Sequence, residues 1–307
     1  MPIRVAIPDY VSPSYFPALA AVELGCFRKE GIDATCELLY PVARSYELLR
    51  DGTLDLVGGA SHAVPYAFPD WDGAVLLGAL ARHMYWFLVV RSDAGVQRGD
   101  VAAVKGMRIG AAPGPIDGLR AVLRASGVDP DADVELVPVP GATTPGASFG
   151  VAAAQALEAR RIDGFWANGM ASALAVRSGA GTLILDARRG DGPLGATGYT
   201  FPALVASSAR LAKDPSFGPA AVRALRAAQQ ALKDDPERAA EVGRRVYPAV
   251  EAGLIAELIR RDAPFYDVAI TASDFTDIDR FGRILGITHG GGTYDAVVPK
   301  AIRALWG

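Results

Sequence analysis

The sequence predicts an α/β protein made of two similar lobes. Three observations carry that expectation. Short apolar runs alternate with helical patterns along most of the 307 residues, which is how parallel sheets covered by helices are written. A second cycle opens at Met107-Arg108-Ile109-Gly110-Ala111 and copies the opening of the first. Leu157, Ile162, Asp163 and Phe165 repeat the arrangement of Leu49, Leu54, Asp55 and Val57 at a constant offset of 108 residues.

Taken in order, Ile3 to Ile7 predicts the first strand, and Pro17 suits the first turn of a helix through Leu19 and Val22 that Gly25 ends. Cys36 to Tyr40 reads as the next strand and Ser45 to Arg50 as a short helix stopped near Gly52. Leu54-Asp55-Leu56-Val57 is a strand running into Gly58, Gly59, Ala60 and Ser61, where another helix can start. Ala74 to Leu80 and Trp86 to Val90 are further strands around the polar-aromatic segment 82–85. After the strand at 107–111, the tight segment Pro113-Gly114-Pro115 leads into a helix from about Asp117 to Ala125, closed near Gly127. A helix from Val151 to Arg160 and a strand from Ile162 to Trp166 follow. The last third is mostly helical, with stripes at Val222, Leu225 and Leu232, at Leu254 and Leu258, and at Ile278, Phe281 and Leu285. The stretch from Gly190 to Gly195 is the most linker-like part of the chain.

Composition removes several functions. A hydrophobic fraction of 50% with 21% charged residues fits a globular chain. Thirty-one Lys and Arg against 34 Asp and Glu leave none of the positive excess that a phosphate backbone requires, so nucleic acid is not an expected partner. The uncharged run from Leu136 to Leu157 is long enough to cross a bilayer, but Pro138, Pro140 and Pro145 would leave backbone groups unpaired in lipid. Direct membrane insertion is therefore not expected. The N-terminus reads as a strand and not as an export signal, which predicts a cytoplasmic chain as written and an extracytoplasmic one if a signal has been removed. Cys26 and Cys36 are the only cysteines and read as core thiols. There is no His-Glu-X-X-His motif and no P-loop. His62, His83 and His289 lack metal-ligand spacing, so neither a metal nor a cofactor is expected, and His289 beside three glycines reads as a surface loop.

The candidate site lies where strands end, the place at which open α/β sheets bind ligands. Gly59, Ser61 and His62 follow one strand, and Asp9, Tyr10 and Ser12, with Tyr15 beyond, follow the first. Gly114, Ile116 and Asp117 follow the strand at 107–111, and Trp166 and Asn168 follow that at 162–166. Helices start next to these segments, and free N–H groups at helix starts favour an acidic or acceptor-rich ligand. Tyr10, Tyr15, Tyr85, Trp86 and Trp166 add flat apolar surface with polar tips, which suits a planar molecule. His62 also permits a second reading, an enzyme with His62 as acid or base and Asp9 or Asp117 as its partner. A ligand sensor would use the same residues. No nucleophile accompanies the histidine, so binding without catalytic residues is the expectation.

These residues resemble a known group, the solute-binding proteins of ABC importers for nitrate, sulfonates, taurine and the thiamine pyrimidine precursor, with the related pyrimidine-synthase enzymes. The resemblance rests on Val5-Ala6-Ile7 with the segment from Ala20 to Ile32, on Leu48 to Leu56, on Val104-Lys105-Gly106-Met107-Arg108-Ile109-Gly110, and on Ala156-Leu157 with Ile162-Asp163-Gly164. It implies a bilobal periplasmic-binding-protein-like (type 2) fold, with a ligand cleft and two hinge crossings, near 87–91 and 199–206. Residues 1–88 and 203–307 would then form one lobe and residues 89–202 the other. It further implies an ABC permease in the membrane as partner. The enzyme members of the group carry a cysteine-rich iron motif and a histidine matching Ser61-His62; this chain has the histidine and no cysteine cluster.

Overall fold

The computed structural model describes residues 2–144 and 147–307, so Pro145 lies outside the described residues. Two compact units are present, the chain up to Arg82 together with Gly198–Gly307, and His83–Thr197. The division falls a few residues before the expected 88/89 and 202/203. Phe87 and Leu88 pair with Ala167 and Trp166 in the sheet of the second unit, whereas Pro202 pairs with Ala60 in the sheet of the first.

In the first unit, β1 (Ile3–Ile7), β2 (Ala34–Leu38), β3 (Leu56–Ala60), β4 (Ala74–Ala79) and β10 (Pro202–Ser207) form one sheet in the order β2-β1-β3-β10-β4. In the second, β5 (Phe87–Arg91), β6 (Arg108–Ala111), β7 (Glu135–Val137), β8 (Gly164–Ala167) and β9 (Gly181–Asp186) take the order β7-β6-β8-β5-β9. The two orders are the same design. Each has three parallel strands, then one antiparallel strand and a last strand beyond it. The antiparallel member, β10 or β5, is in each case the first strand after the chain passes from the other unit. That is why a purely parallel reading of the strand–helix alternation falls short.

The repeat seen at 108 residues has a physical basis. Asp55 Oδ2 accepts the backbone N–H of Arg4 at 3.0 Å, and Asp163 Oδ2 accepts that of Arg108, also at 3.0 Å. In both units, the carboxylate that opens the third parallel strand satisfies the backbone of the first. Arg108 adds its guanidinium to Asp163, and with Arg91 it holds that carboxyl below its ordinary value against the opposing effect of burial.

Helices cover the sheets. In the first unit α1 (Phe16–Glu23), α2 (Cys26–Lys29) and α3 (Val42–Arg50) precede β3; in the second α4 (Pro115–Ala125), α5 (Phe149–Glu158) and α6 (Gly169–Arg177) alternate with strands. After β10 come α7 (Ser208–Lys213), α8 (Phe217–Asp234), α9 (Glu237–Val246), α10 (Ala249–Asp262), α11 (Ala272–Ile284), α12 (Tyr294–Val297) and α13 (Lys300–Arg303). The predicted stripes are buried at Val222, Leu225, Leu232, Leu258, Ile278 and Phe281, while Leu254 and Leu285 remain half-buried. No described helix is long and apolar enough to cross a membrane.

One core of the first unit joins Tyr46, Leu54, Val57, Trp71, Leu76, Phe275 and Ile278; one core of the second joins Phe87, Val89, Leu157, Ile162 and Phe165. Gly59 belongs to the first by its lack of a side chain. A Cβ there would stand 2.6 Å from Val42 Cγ2 and 2.7 Å from the Tyr46 hydroxyl. The protein's own side chains take the space that the small residue leaves.

Candidate functional site

The first unit gathers its candidates where β1 and β3, parallel neighbours, come to an end. Asp9 turns the chain by accepting the Val11 N–H at 3.1 Å. The carbonyl of Ser12 receives the N–H groups of Tyr15 and Phe16, which caps the start of α1. Ser12 itself is fully buried, and its hydroxyl has no hydrogen-bond partner among the described residues. Such a group costs about 1–3 kcal/mol unless something else satisfies it.

Tyr10 has a different use. Its hydroxyl donates to the Cys36 carbonyl at 3.0 Å, and burial, helped by Cys36 and Glu37, pushes its pKa up to about 12. Tyr15 is buried beside the start of α1.

At the end of β3, Ser61 and His62 are wholly buried. His62 Nδ1 lies 2.9 Å from Thr200 Oγ1, which is 3.3 Å from Ser61 Oγ. Ser61 Oγ in turn accepts the Phe201 N–H at 3.2 Å. The imidazole packs on Phe281 at 5.5 Å between centroids, and Phe281 carries Tyr199 stacked on it at 4.7 Å and 6°. The structure thus fixes the orientation of His62 through a residue 138 positions away in sequence. Thr200, Phe281 and Tyr199 escaped the sequence reading as site residues because none of them follows a parallel strand in the chain.

The second unit gathers its candidates at the corresponding edge, where β6, β8 and β9 end and β5 begins. Tyr85, Trp86 and Trp166 are buried together, with ring centroids 4.7 Å apart for Tyr85 and Trp86 and 6.1 Å apart for Trp86 and Trp166. The Trp166 indole N–H donates to the Pro115 carbonyl at 3.0 Å, tying β8 to the start of α4. Gly118 lies under this group, since a Cβ there would meet the Trp86 ring at 3.1 Å. Gly114 has the left-handed φ of +88° that lets the chain turn into α4, where Ile116 and Asp117 are half-buried.

The helix starts differ from expectation in one respect. The Ile116 and Asp117 N–H groups donate to Ala112 and Gly114 carbonyls, and those of Met170 and Ala171 donate to the Asn168 side chain at 2.9 and 3.2 Å. Together with the α1 cap these donors serve the protein's own turns, so positive character for a ligand has to come from a side chain. One stands at this edge and was missed. Arg188, 2% exposed, follows β9 and holds its guanidinium 5.7 Å from the centre of the Tyr85 ring. The strand before it was not singled out, because it lies between glycines at 179–181 and the stretch at 190–195 that reads as a linker.

Among the described residues no group of three or more His, Cys, Asp or Glu is arranged to hold a metal ion. His289 is exposed, and its backbone N–H is bound by Asp70.

Two α/β units with this repeated strand order define the bilobal type 2 fold of the periplasmic binding proteins. The family model described as NMT1/THI5 like matches residues 12–239, and the chain belongs to that family. Solved structures agree on the fold. The alkanesulfonate-binding protein SsuA from Xanthomonas axonopodis, bound to MOPS, is 15% identical with a TM-score of 0.71, covering 92% of each chain. The periplasmic nitrate-binding protein NrtA from Synechocystis is 16% identical, with a TM-score of 0.63 over 81% of this chain and 68% of that one. A cysteine-to-serine mutant of the desulfurization enzyme DSZB, in complex with biphenyl-2-sulfinic acid, is 16% identical, with a TM-score of 0.64 over 99% of both chains. No curated protein matches the chain by sequence.

Proposed function

We propose that this chain is the solute-binding component of an ABC importer: it captures a small organic ligand, planar or acidic, and presents it to a permease in the membrane. That role places the working protein on the extracytoplasmic side. The observation that carries the reading is the buried, unpartnered Ser12 hydroxyl at the end of β1, beside the strand whose end supplies Ser61 and His62. A hydroxyl in that state is a hydrogen-bonding group waiting for a partner. Membership of the NMT1/THI5-like family and the fold shared with sulfonate-binding and nitrate-binding proteins support the same reading.

A second reading, catalysis with His62 as acid or base and Asp9 or Asp117 beside it, draws support from the fold shared with an enzyme over 99% of the chain. Binding is preferred because the described residues around His62 give it a hydroxyl partner and an aromatic neighbour but no cysteine: Cys26 and Cys36 lie in α2 and β2.

Calorimetric titration with benzoate, benzenesulfonate, MOPS, cytosine and nitrate tests the proposal. At least one should bind saturably, and Ser12→Ala should weaken that probe about 5- to 150-fold while leaving the melting temperature of the ligand-free protein unchanged or higher. A fall in melting temperature with unaltered affinity makes Ser12 structural. Absence of binding by every probe removes the solute-binding reading.

A further inference from the structure

We propose that Glu251 is a ligand-binding carboxylate of the first unit and takes a cationic N–H group, an ammonium or an amidinium, carried on the solute. The inference deepens the solute-binding reading and rests on it. Of the two ligand classes named there, planar and acidic, it selects a planar molecule with a positive end. Glu251 is only 6% exposed, and its Oε2 is enclosed without a hydrogen-bond partner among the described residues. No basic side chain among them pairs with it. A carboxylate taken out of water without a partner is strongly unfavourable, which marks it as a group whose partner comes from elsewhere.

The ordinary structural uses of this glutamate are closed. It is the third residue of α10, where a carboxylate commonly reaches back to the backbone N–H before the helix. The residue in that place is Pro248, which has no N–H to give. The helix dipole favours a negative charge there but returns a small part of what burial costs. The arginines of the same hairpin are engaged with other carboxylates: Arg245 with Glu23 at 3.4 Å, Arg260 with Glu237 at 3.0 Å and Arg261 with Asp262 at 3.0 Å. Tyrosines on either side of α10 tie it to the end of β1. Their hydroxyls donate to the carbonyls that bracket Ser12, Tyr247 to Tyr10 at 2.5 Å and Tyr266 to Pro13 at 2.7 Å. Ser12 Oγ, also enclosed and unpartnered, therefore sits on the turn that these tyrosines hold, and Glu251 follows Tyr247 by four residues. An amidinium presents two parallel N–H donors to the two oxygens of a carboxylate, and an ammonium presents three.

The test compares benzamidine with its neutral isostere benzamide by calorimetry on the full chain. Wild type should bind benzamidine about tenfold or more tightly than benzamide. Glu251→Gln should weaken benzamidine about 30-fold or more while changing benzamide little, so the preference for the cation disappears. Glu251→Asp keeps the charge but withdraws it by one methylene, and should lose about fivefold or more. Glu241→Gln, which removes an equal charge at an exposed position of α9, should match wild type. The melting temperature of ligand-free Glu251→Gln should be unchanged or higher, because an unpaired buried charge has been removed.

Should Glu251→Gln fail to fold by circular dichroism, the cation preference of wild type and the Glu251→Asp loss decide the matter. An undiminished preference for benzamidine in the variants overturns the subsite whatever the melting temperature does, as does a wild-type preference for benzamide. If benzamidine does not bind while another of the titrated probes does, the subsite alone falls; if none of the wider set binds, the solute-binding reading falls with it.

Discussion

His62 illustrates how the fold supports a single buried side chain. Its ring is held by Thr200 on one side and Phe281 on another. Thr200→Val deletes the hydroxyl shared by Ser61 and His62 and leaves two buried polar groups short of a partner. Stability by urea unfolding should fall by about 1–3 kcal/mol; an unchanged midpoint and slope would show that the contact carries no weight. Residues of this kind were half legible. Position after a readable strand singled out His62 and Ser12. Thr200 and Arg188 could not be found, because their significance comes from pairing across more than a hundred residues or from a strand whose boundaries the pattern left open.

Among the elements, the parallel strands are the best written. β1, β3, β6 and β8 emerge from apolar runs, and the carboxylates at Asp55 and Asp163 mark equivalent strands in each unit. β10 and β9 were not foreseen. An antiparallel strand entering after the chain has visited the other unit carries no local sign of its partner, and Thr182-Leu183-Ile184-Leu185 sits beside the glycines of 190–195 that read as a linker. Glycine roles also separate at this scale. Gly59→Ala forces a methyl against Val42 and Tyr46 and should cost about 1–3 kcal/mol. Gly253 lies within α10 with open space around its Cβ position, and Gly253→Ala should stabilise by about 0.5–1 kcal/mol by improving helix propensity. Chemical denaturation of both variants checks the pair; equal effects would mean that the packing at Gly59 is not tight.

At the scale of the whole molecule, two units with one strand order each carry one strand edge of candidate residues, hydrogen-bonding in the first and aromatic with a buried arginine in the second. The order of family segments made the two-lobe plan legible, while the division at Arg82 and Thr197 required the sheets themselves, since an apolar run such as Phe87 to Val90 reads the same in either lobe. Nothing in such a design requires that a bond in the ligand be broken. The most direct measurement is therefore the fate of the ligand: the protein is incubated with whichever titrated probe binds, and the probe is quantified by mass spectrometry over time. A binding protein returns the probe unaltered and in full at every time point. Multiple turnovers that vanish in His62→Ala would contradict the account and make the molecule an enzyme.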